Sequence, residues 1–417
     1  MFPPALRHRR FRLLWSGLLI SVAGTQMQNA AILWHVNQLS PQPIALGAVG
    51  LARVFPVLIF SLVAGVAADT YNRRRLMFVT QAGLALLSAL LAVLTWMRLD
   101  SLGVVYVIVA LLAATATFDL PARQSLVPNL VGREDLTNAF SLTSIAFQVG
   151  SIAGPALGGI VLARLGIAFA YAINALTYLA VIVALIRMGD IPQQPMRAEK
   201  RETGPGAFLR NVVEGLRYVR AEPLILSTML LDFFATFFSS ATALLPIFAR
   251  QILGVDAIGY GWLVAAPAVG AAAAALVVAL GRQIPSQGRV LLVSVTGFGV
   301  ATVIFGLSRA FWLTFAALAL TGVTDGISMI IRNTIRQLRT PDELRGRMTS
   351  VNQIFFMGGP QLGELEAGVV AQLWGAPLSV VSGGIGCLIA VLWVRLRFPQ
   401  LLDYHGAEPA AVLAAGK

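Results

Sequence analysis

Charge, histidine and cysteine are what this sequence has least of. Of its 417 residues only 12% are charged, three are His and one is Cys, where a soluble globular chain is about a quarter charged. The single Cys387 excludes an intrachain disulfide. So few His and Cys give no cluster with metal-ligand spacing, and neither a metal nor another cofactor is expected. No G-x-x-x-x-G-K-[ST] run occurs, which excludes a P-loop and direct drive by ATP. No N-x-[ST] sequon occurs either. No stretch is polar enough for a soluble domain that would host chemistry, so no catalytic residue is assigned and an enzyme is not expected.

What the sequence has is apolar surface. Hydrophobic residues make up 57% and the mean hydropathy is +0.77. Surplus on that scale needs lipid as its solvent. The apolar runs predict an all-α membrane protein with helices over 11–38, 45–68, 76–97, 102–122, 136–163, 167–187, 223–249, 258–280, 289–308, 311–331, 346–374 and 377–397. Each has about 20 residues or more, enough for a hydrocarbon core of roughly 30 Å. The first run follows Arg7, Arg9, Arg10 and Arg12, as in a signal peptide, but is too long for that and is read as a retained first helix.

Orientation follows from the 31 Lys and Arg residues. With the N-terminus inside, outer loops hold only Arg98, Arg164, Arg250 and Arg309, and Arg53 lies within a helix. All the others, Arg332 and Arg336 included, fall in inner segments. The positive-inside rule then places both termini in the cytoplasm. The net charge of +12 is read as facing anionic lipid headgroups, not nucleic acid.

The longest inner segment divides the chain into an N-terminal half at 1–188, a linker at 189–222, a C-terminal half at 223–397 and a tail at 398–417. Phe208, Val212, Leu216 and Val219 share one face of an amphipathic helix over 206–220, expected to lie on the inner membrane surface. The halves repeat weakly. Arg133-Glu134-Asp135-Leu136 parallels Pro341-Asp342-Glu343-Leu344, Gly154–Gly158 parallels Gly359–Gly363, and Asp119 parallels Asp325. Repeated six-helix halves imply a substrate site near the midplane.

The loop Gly65-Val66-Ala67-Ala68-Asp69-Thr70-Tyr71-Asn72-Arg73-Arg74-Arg75 resembles the signature loop of the major facilitator superfamily. The run Gly150–Gly159 resembles the fifth-helix motif of its proton-coupled exporters. Segments Gly132–Ala139 and Thr340–Gly368 are similar to the branch of enterobactin exporters and secretion-effector permeases. The resemblance implies twelve transmembrane helices in two pseudo-symmetric halves, with the first, fourth, seventh and tenth lining the cavity. It also implies an inner gate in which Asp69, Arg73 and Asp119 form a charge cluster, with Asp325 and Arg282 or Arg289 as its counterpart.

Other candidates come from the residues themselves. In the fifth helix Gly150, Gly154 and Gly158 form a bare ridge for close packing, with Pro155 permitting a bend. Thr228, Asp232, Thr236, Ser239 and Thr242 form a polar stripe on the seventh helix, with Asp232 roughly 14 Å deep. Such a stripe is expected to face a water-filled cavity. Asp232 is then a protonation or cation-binding acid, or else a carboxylate satisfied by a neighbouring helix. Ser21, Thr25, Gln28, Asn29 and His35 are expected to line the cavity from the first helix, with His35 near its outer end. Arg53 and Glu366 lie at matched depths in the second and eleventh helices, which the resemblance places face to face, giving an outer gate; the alternative is Arg53 snorkelling outward. Glu364, about 200° away on the same helix, is the alternative partner for Arg53, and whichever of the two acids does not face the second helix is a candidate for proton coupling.

The expected function is secondary active transport, with proton-coupled efflux of a small amphipathic molecule, drug-like or siderophore-like. Protons and the lipid bilayer are the other partners, and a monomer in a bacterial inner membrane is expected. An uptake permease or uniporter is the alternative, and a non-transporting membrane scaffold the next.

Overall fold

The computed structural model describes residues 3–191, 205–238, 241–281 and 286–406. Long helices dominate, and no strand occurs among the described residues. The first six are α1 (Arg9–Leu39), α2 (Pro43–Thr70), α3 (Arg73–Trp96), α4 (Leu102–Leu126), α5 (Leu136–Arg164) and α6 (Ile167–Arg187). Then come α7 (Pro205–Ala221), α8 (Pro223–Phe238), a short α9 (Leu245–Ile247), α10 (Ala257–Leu280), α11 (Gln287–Leu307), α12 (Phe311–Arg339), α13 (Asp342–Trp374) and α14 (Ala376–Arg397).

Local chemistry sets the ends. Asn72 caps α3 by accepting from the Arg75 N–H, and Ser101 caps α4 through the Val104 N–H. Gly166 and Gly375, at φ +93° and +86°, turn the chain from α5 into α6 and from α13 into α14. That backbone region is open to glycine at no steric cost. The two glycines sit about half the chain apart, so the internal repeat extends to the turns.

Ten segments among the described residues are long and apolar enough to cross a membrane. Helices α1 and α13, with 31 and 33 residues, have the length and complete the twelve. Helix α1 tolerates its polar residues because most of it is buried against α5 and α6.

Three boundaries differ from expectation. The seventh span is not a regular α-helix throughout: α8 is described to Phe238, a 3₁₀ turn covers Ala241–Leu244, and α9 runs into a π-helical turn at Phe248–Ile252. Pro246 in this stretch has no N–H to continue an α-helical ladder. Helix α12 continues to Arg339, well past the expected end at 331. Helix α7 is not merely a surface helix. Its Val219 is fully buried with Ile225, Met229, Met348 and Val351, and Tyr218 donates to the Arg339 carbonyl at 2.9 Å.

The chain forms two compact units. One is Met1–Arg201 with Ala249–Ala265, the other Glu202–Phe248 with Ala266–Lys417. Residues 249–265 therefore join the first unit, although the sequence placed 223–397 in one half. The reason is visible in the packing. Tyr260 donates to the Ala30 carbonyl at 2.9 Å, Trp34 lies 4.9 Å from the Tyr260 ring, and Arg250 stands 5.7 Å from the Trp34 centroid. In the second unit, α10 crosses α12 where Gly270 meets Ala319 and Gly322 meets Pro267. Only a residue without a side chain fits such backbone contact.

Candidate functional site

The densest buried charge in the second unit lies where α8 meets α12. Asp232 is 2% exposed and Arg332 is also 2% exposed. The Arg332 Nη1 atom is 3.0 Å from Asp232 Oδ1, an ion pair without hydrogen-bond alignment. On its other side Arg332 Nη2 donates to Asp325 Oδ1 at 3.1 Å. One guanidinium is thus shared by two carboxylates, one buried and one nearly half exposed.

A second guanidinium backs the first. Arg336 Nη1 is 4.0 Å from Asp232 Oδ2, its Nε donates to the Arg332 carbonyl at 3.1 Å, and its Nη2 donates to Asn333 Oδ1 at 2.8 Å. It also donates to Asn352 of α13. Asp325, Arg332 and Arg336 recur at intervals of seven and four residues, which aligns them on one face of α12. Placing opposite charges together here avoids the several kcal/mol that each isolated ion would cost in a dry interior. Along α8, Phe233 stacks on Phe237 and Phe234 on Phe238, at centroid distances of 5.7 and 6.2 Å, and the two pairs meet edge to face.

Asp232 is buried against α12, where Arg332 meets it, in keeping with the alternative of a carboxylate satisfied by a neighbouring helix and not with an open polar stripe. Thr228 is fully buried and donates to the Ile225 carbonyl, and Thr236 donates to the Asp232 carbonyl at 2.7 Å. Thr242 is beyond α8, in the 3₁₀ turn, and Ser239 lies outside the described residues. Asp325 pairs along its own helix with Arg332; Arg289 is exposed, and Arg282 lies outside the described residues. Arg332 and Arg336 are the residues the sequence missed, because each was counted as an inner-loop charge. The signal was there: Thr321, Asp325, Ser328, Arg332 and Arg336 follow helical spacing.

In the first unit the related acid has different company. Asp119 of α4 is 6% exposed, and its Oδ1 accepts from Thr80 Oγ1 and Gln81 Nε2 of α3, both at 2.9 Å. Arg73 is buried at the start of α3 and donates to the Ser125 carbonyl at 3.5 Å. The side chain of Asp69 lies outside the described residues. Thr80 and Gln81 were not foreseen; they sit two turns beyond Arg73 on α3.

The polar residues of α1 that were expected to line a cavity meet neighbouring side chains, Gln28 and His35 fully buried, Thr25 and Asn29 partly. Gln28 is 3% exposed and accepts from Asn174 of α6 at 2.9 Å, and Thr25 meets the Tyr178 hydroxyl at 3.1 Å. Asn29 donates to Gln26 at 3.0 Å and accepts from Arg53 at 3.5 Å. His35 is buried, with Nε2 2.8 Å from Asp100 Oδ2 and Nδ1 3.0 Å from the Tyr171 hydroxyl. Arg53 belongs to the first unit, while Glu364 and Glu366, half-buried on α13, belong to the second. The glycine ridge of α5 lies on α1: Gly150 against Val22, Gly154 against the Ala23 carbonyl and Gly158 against Met27, with Pro155 buried.

Residues 2–410 match the family described as transmembrane secretion effector. Among curated relatives, the enterobactin exporter EntS of Escherichia coli is 25% identical over 404 residues, covering 96% of this chain and 95% of that one. The EntS protein of Shigella boydii is also 25% identical, with the same coverage. Among solved structures, a bacterial homolog of the human lysosomal transporter Spinster, inward-facing and unoccupied, is similar at a TM-score of 0.73 and 14% identity, covering 97% of this chain and 98% of that one. A POT family transporter in complex with a thioalcohol-conjugated peptide is similar at a TM-score of 0.73 and 11% identity, covering 94% and 96%.

Proposed function

This chain belongs to the transmembrane secretion effector family of the major facilitator superfamily, and we propose that it exports a small amphipathic molecule in exchange for protons, with Asp232 as the coupling acid. It is a multi-pass membrane transporter and not an enzyme. The proposal extends to a bacterial inner membrane with both termini cytoplasmic, which the asymmetry of Lys and Arg supports.

The observation that carries the coupling role is the position of Arg332 between Asp232 and Asp325. A proton on Asp232 would ordinarily strand its buried partner. Here Arg332 keeps Asp325 at 3.1 Å, so Asp232 can be neutralised without leaving an orphaned cation. The direction of coupling follows from what competes for Asp232. A substrate that offers donor groups, such as amide or phenolic hydrogens, replaces the proton, so each ligand expels the other. Negative linkage of this kind is what exchange requires. The stacked phenylalanines of α8 suit an aromatic or otherwise amphipathic substrate.

A second reading rests on Arg336, the additional cation of the cluster. An anion that took Arg332 or Arg336 from Asp232 would bind together with a proton, and the same residues would then run cotransport.

Proton release on binding distinguishes the two. Enterobactin is the first probe, because the curated relatives are named for its export. Purified protein in weakly buffered detergent is titrated across a range of pH that takes Asp232 from protonated to ionised. It should release protons when enterobactin binds to the protonated form, in excess of the release by the Asp232→Asn variant. Proton uptake would establish cotransport. Binding with no difference between wild type and variant would remove Asp232 from the coupling.

A further inference from the structure

The charged face of α12 does not stop at the cluster. Asp325, Arg332, Arg336 and Arg339 recur at intervals of seven, four and three residues, so Arg339 carries the same face to the last residue of the helix. Two segments outside the long apolar helices meet it there. Tyr218 of α7 donates its hydroxyl to the Arg339 carbonyl at 2.9 Å. From the far end of the chain comes Tyr404, whose ring centroid is 5.4 Å from the Arg339 guanidinium carbon.

Both segments are anchored. Val219, beside Tyr218, is buried in one cluster with Val351 of α13. The next residue, Asn352, accepts from Arg336. On the other side Tyr404 is 4% exposed, and Leu401 is fully buried with Leu291 of α11, Ile335 of α12 and Val394 of α14. No side chain caps the start of α11; the Tyr404 carbonyl accepts from the Gly288 N–H at 3.1 Å instead. A Cβ at position 288 would collide with the Leu401 carbonyl, so this close approach requires glycine.

The grip bears on the cluster through the helix itself. Arg336 is less than one turn from Arg339, and Arg332 is about two turns away. Holding Arg339 by both its carbonyl and its guanidinium fixes the rotation of α12 and so the aim of the other two arginines. Arg336 is the sensitive member. Its Nη1 stands 4.0 Å from Asp232 Oδ2, the outer limit of a direct ion pair.

We propose that Tyr218 and Tyr404 are positioning residues for the charge cluster: α7 and the tail grip the end of α12 and set the aim of Arg332 and Arg336 at Asp232. The consequence for transport rests on the coupling role of Asp232; the grip itself does not.

The two contacts use different parts of the same side chain. At 218 the hydroxyl makes the contact, so Tyr218→Phe breaks it and keeps the ring. At 404 the ring makes it, so Tyr404→Phe keeps the contact and Tyr404→Leu breaks it. Hydrogen exchange of the purified full-length chain, read by mass spectrometry on peptides from the second half of α12, reports the grip. Tyr218→Phe should speed exchange there about two- to tenfold. Tyr404→Leu should speed it about two- to fivefold, and Tyr404→Phe should match the parent. Peptides of the first unit should be unchanged throughout. In Tyr218→Phe and Tyr404→Leu, the Asp232-dependent proton release on enterobactin binding should shift along the pH axis by about 0.3–1 unit, the logarithm of the same factors. Tyr404→Phe should keep the parental profile. Parental exchange in both disabling variants would overturn the grip. Faster exchange with an unmoved pH profile would overturn the positioning role and leave the contacts structural. A parent whose proton release equals that of Asp232→Asn would refute the coupling scheme instead, with exchange still deciding the grip.

Discussion

Asp119 and Asp325 hold matching places in the two halves, yet their surroundings differ in kind. Asp119 is buried and takes hydrogen bonds from Thr80 and Gln81 of the neighbouring helix. Asp325 is nearly half exposed and shares Arg332 with the buried Asp232. The repeat conserves where an acid sits but not what satisfies it. A carboxylate held by neutral donors on an adjacent helix is a fixed structural joint. A carboxylate that shares a guanidinium with a second acid is one of two alternative partners, and alternatives are what a switch needs.

Removing the shared cation is the strongest test of that contrast. Arg332→Leu leaves Asp232 buried with Arg336 only at 4.0 Å, and breaking a buried pair from one side costs about 3–5 kcal/mol. Thermal unfolding in detergent should show a large drop in Tm. The double change Asp232→Leu with Arg332→Leu should recover most of the loss while remaining unable to couple transport to a proton gradient. A single variant as stable as the parent would mean that the cluster does not hold α8 to α12.

The glycine crossings give the next largest effect. A methyl at Gly322 would run into the backbone of Pro267, which cannot turn aside. Overpacking of that kind costs about 1–3 kcal/mol, and Gly322→Ala should lower Tm accordingly. An unchanged Tm would show that α10 and α12 separate freely.

Asp119→Asn should have an effect of similar size. The amide oxygen can keep one of the two hydrogen bonds, and losing a bond to a charged group costs about 1.5–3 kcal/mol at most. The contrast with Asp325 sharpens if Asp119→Asn lowers Tm without altering proton release on substrate binding. A loss of proton release in this variant would place Asp119 in the coupling and erase the distinction between the halves.

The smallest effect belongs to Gly158→Ala. The nearest atom to the added methyl is Met27 Cγ, at 3.1 Å. Met is flexible enough to move aside, so the change in stability should stay below about 1 kcal/mol. A loss as large as that of Gly322→Ala would show that α1 and α5 are packed as rigidly as α10 and α12.

The sequence revealed the helices far better than their partners. Apolar runs located the membrane spans to within a few residues, apart from the irregular turns around Pro246 and the extra turns of α12. Arg332 and Arg336 escaped because a positive-inside count treats any arginine near a helix end as a loop charge. Their spacing from Asp325 showed a shared face, but nothing local showed that Asp232, a hundred residues earlier, lay opposite. The same blindness affected α1. Its polar residues announced a polar surface, but only the fold shows that Gln28 meets Asn174 of α6. Periodicity reports which way a side chain leaves its helix. It carries no information on which neighbour waits there.

The shared guanidinium also has an electrical consequence. Asp232, Asp325, Arg332 and Arg336 together carry no net formal charge. Under the proposed exchange, a proton taken up by Asp232 would make the group singly positive, and a neutral substrate in its place would restore zero. The loaded and proton-bound carriers would then differ by one elementary charge. Each 100 mV of potential acts on a full charge crossing the membrane with about 2.3 kcal/mol. Such an exchanger would draw on voltage as well as on pH, and its turnover should register as a current across a planar bilayer.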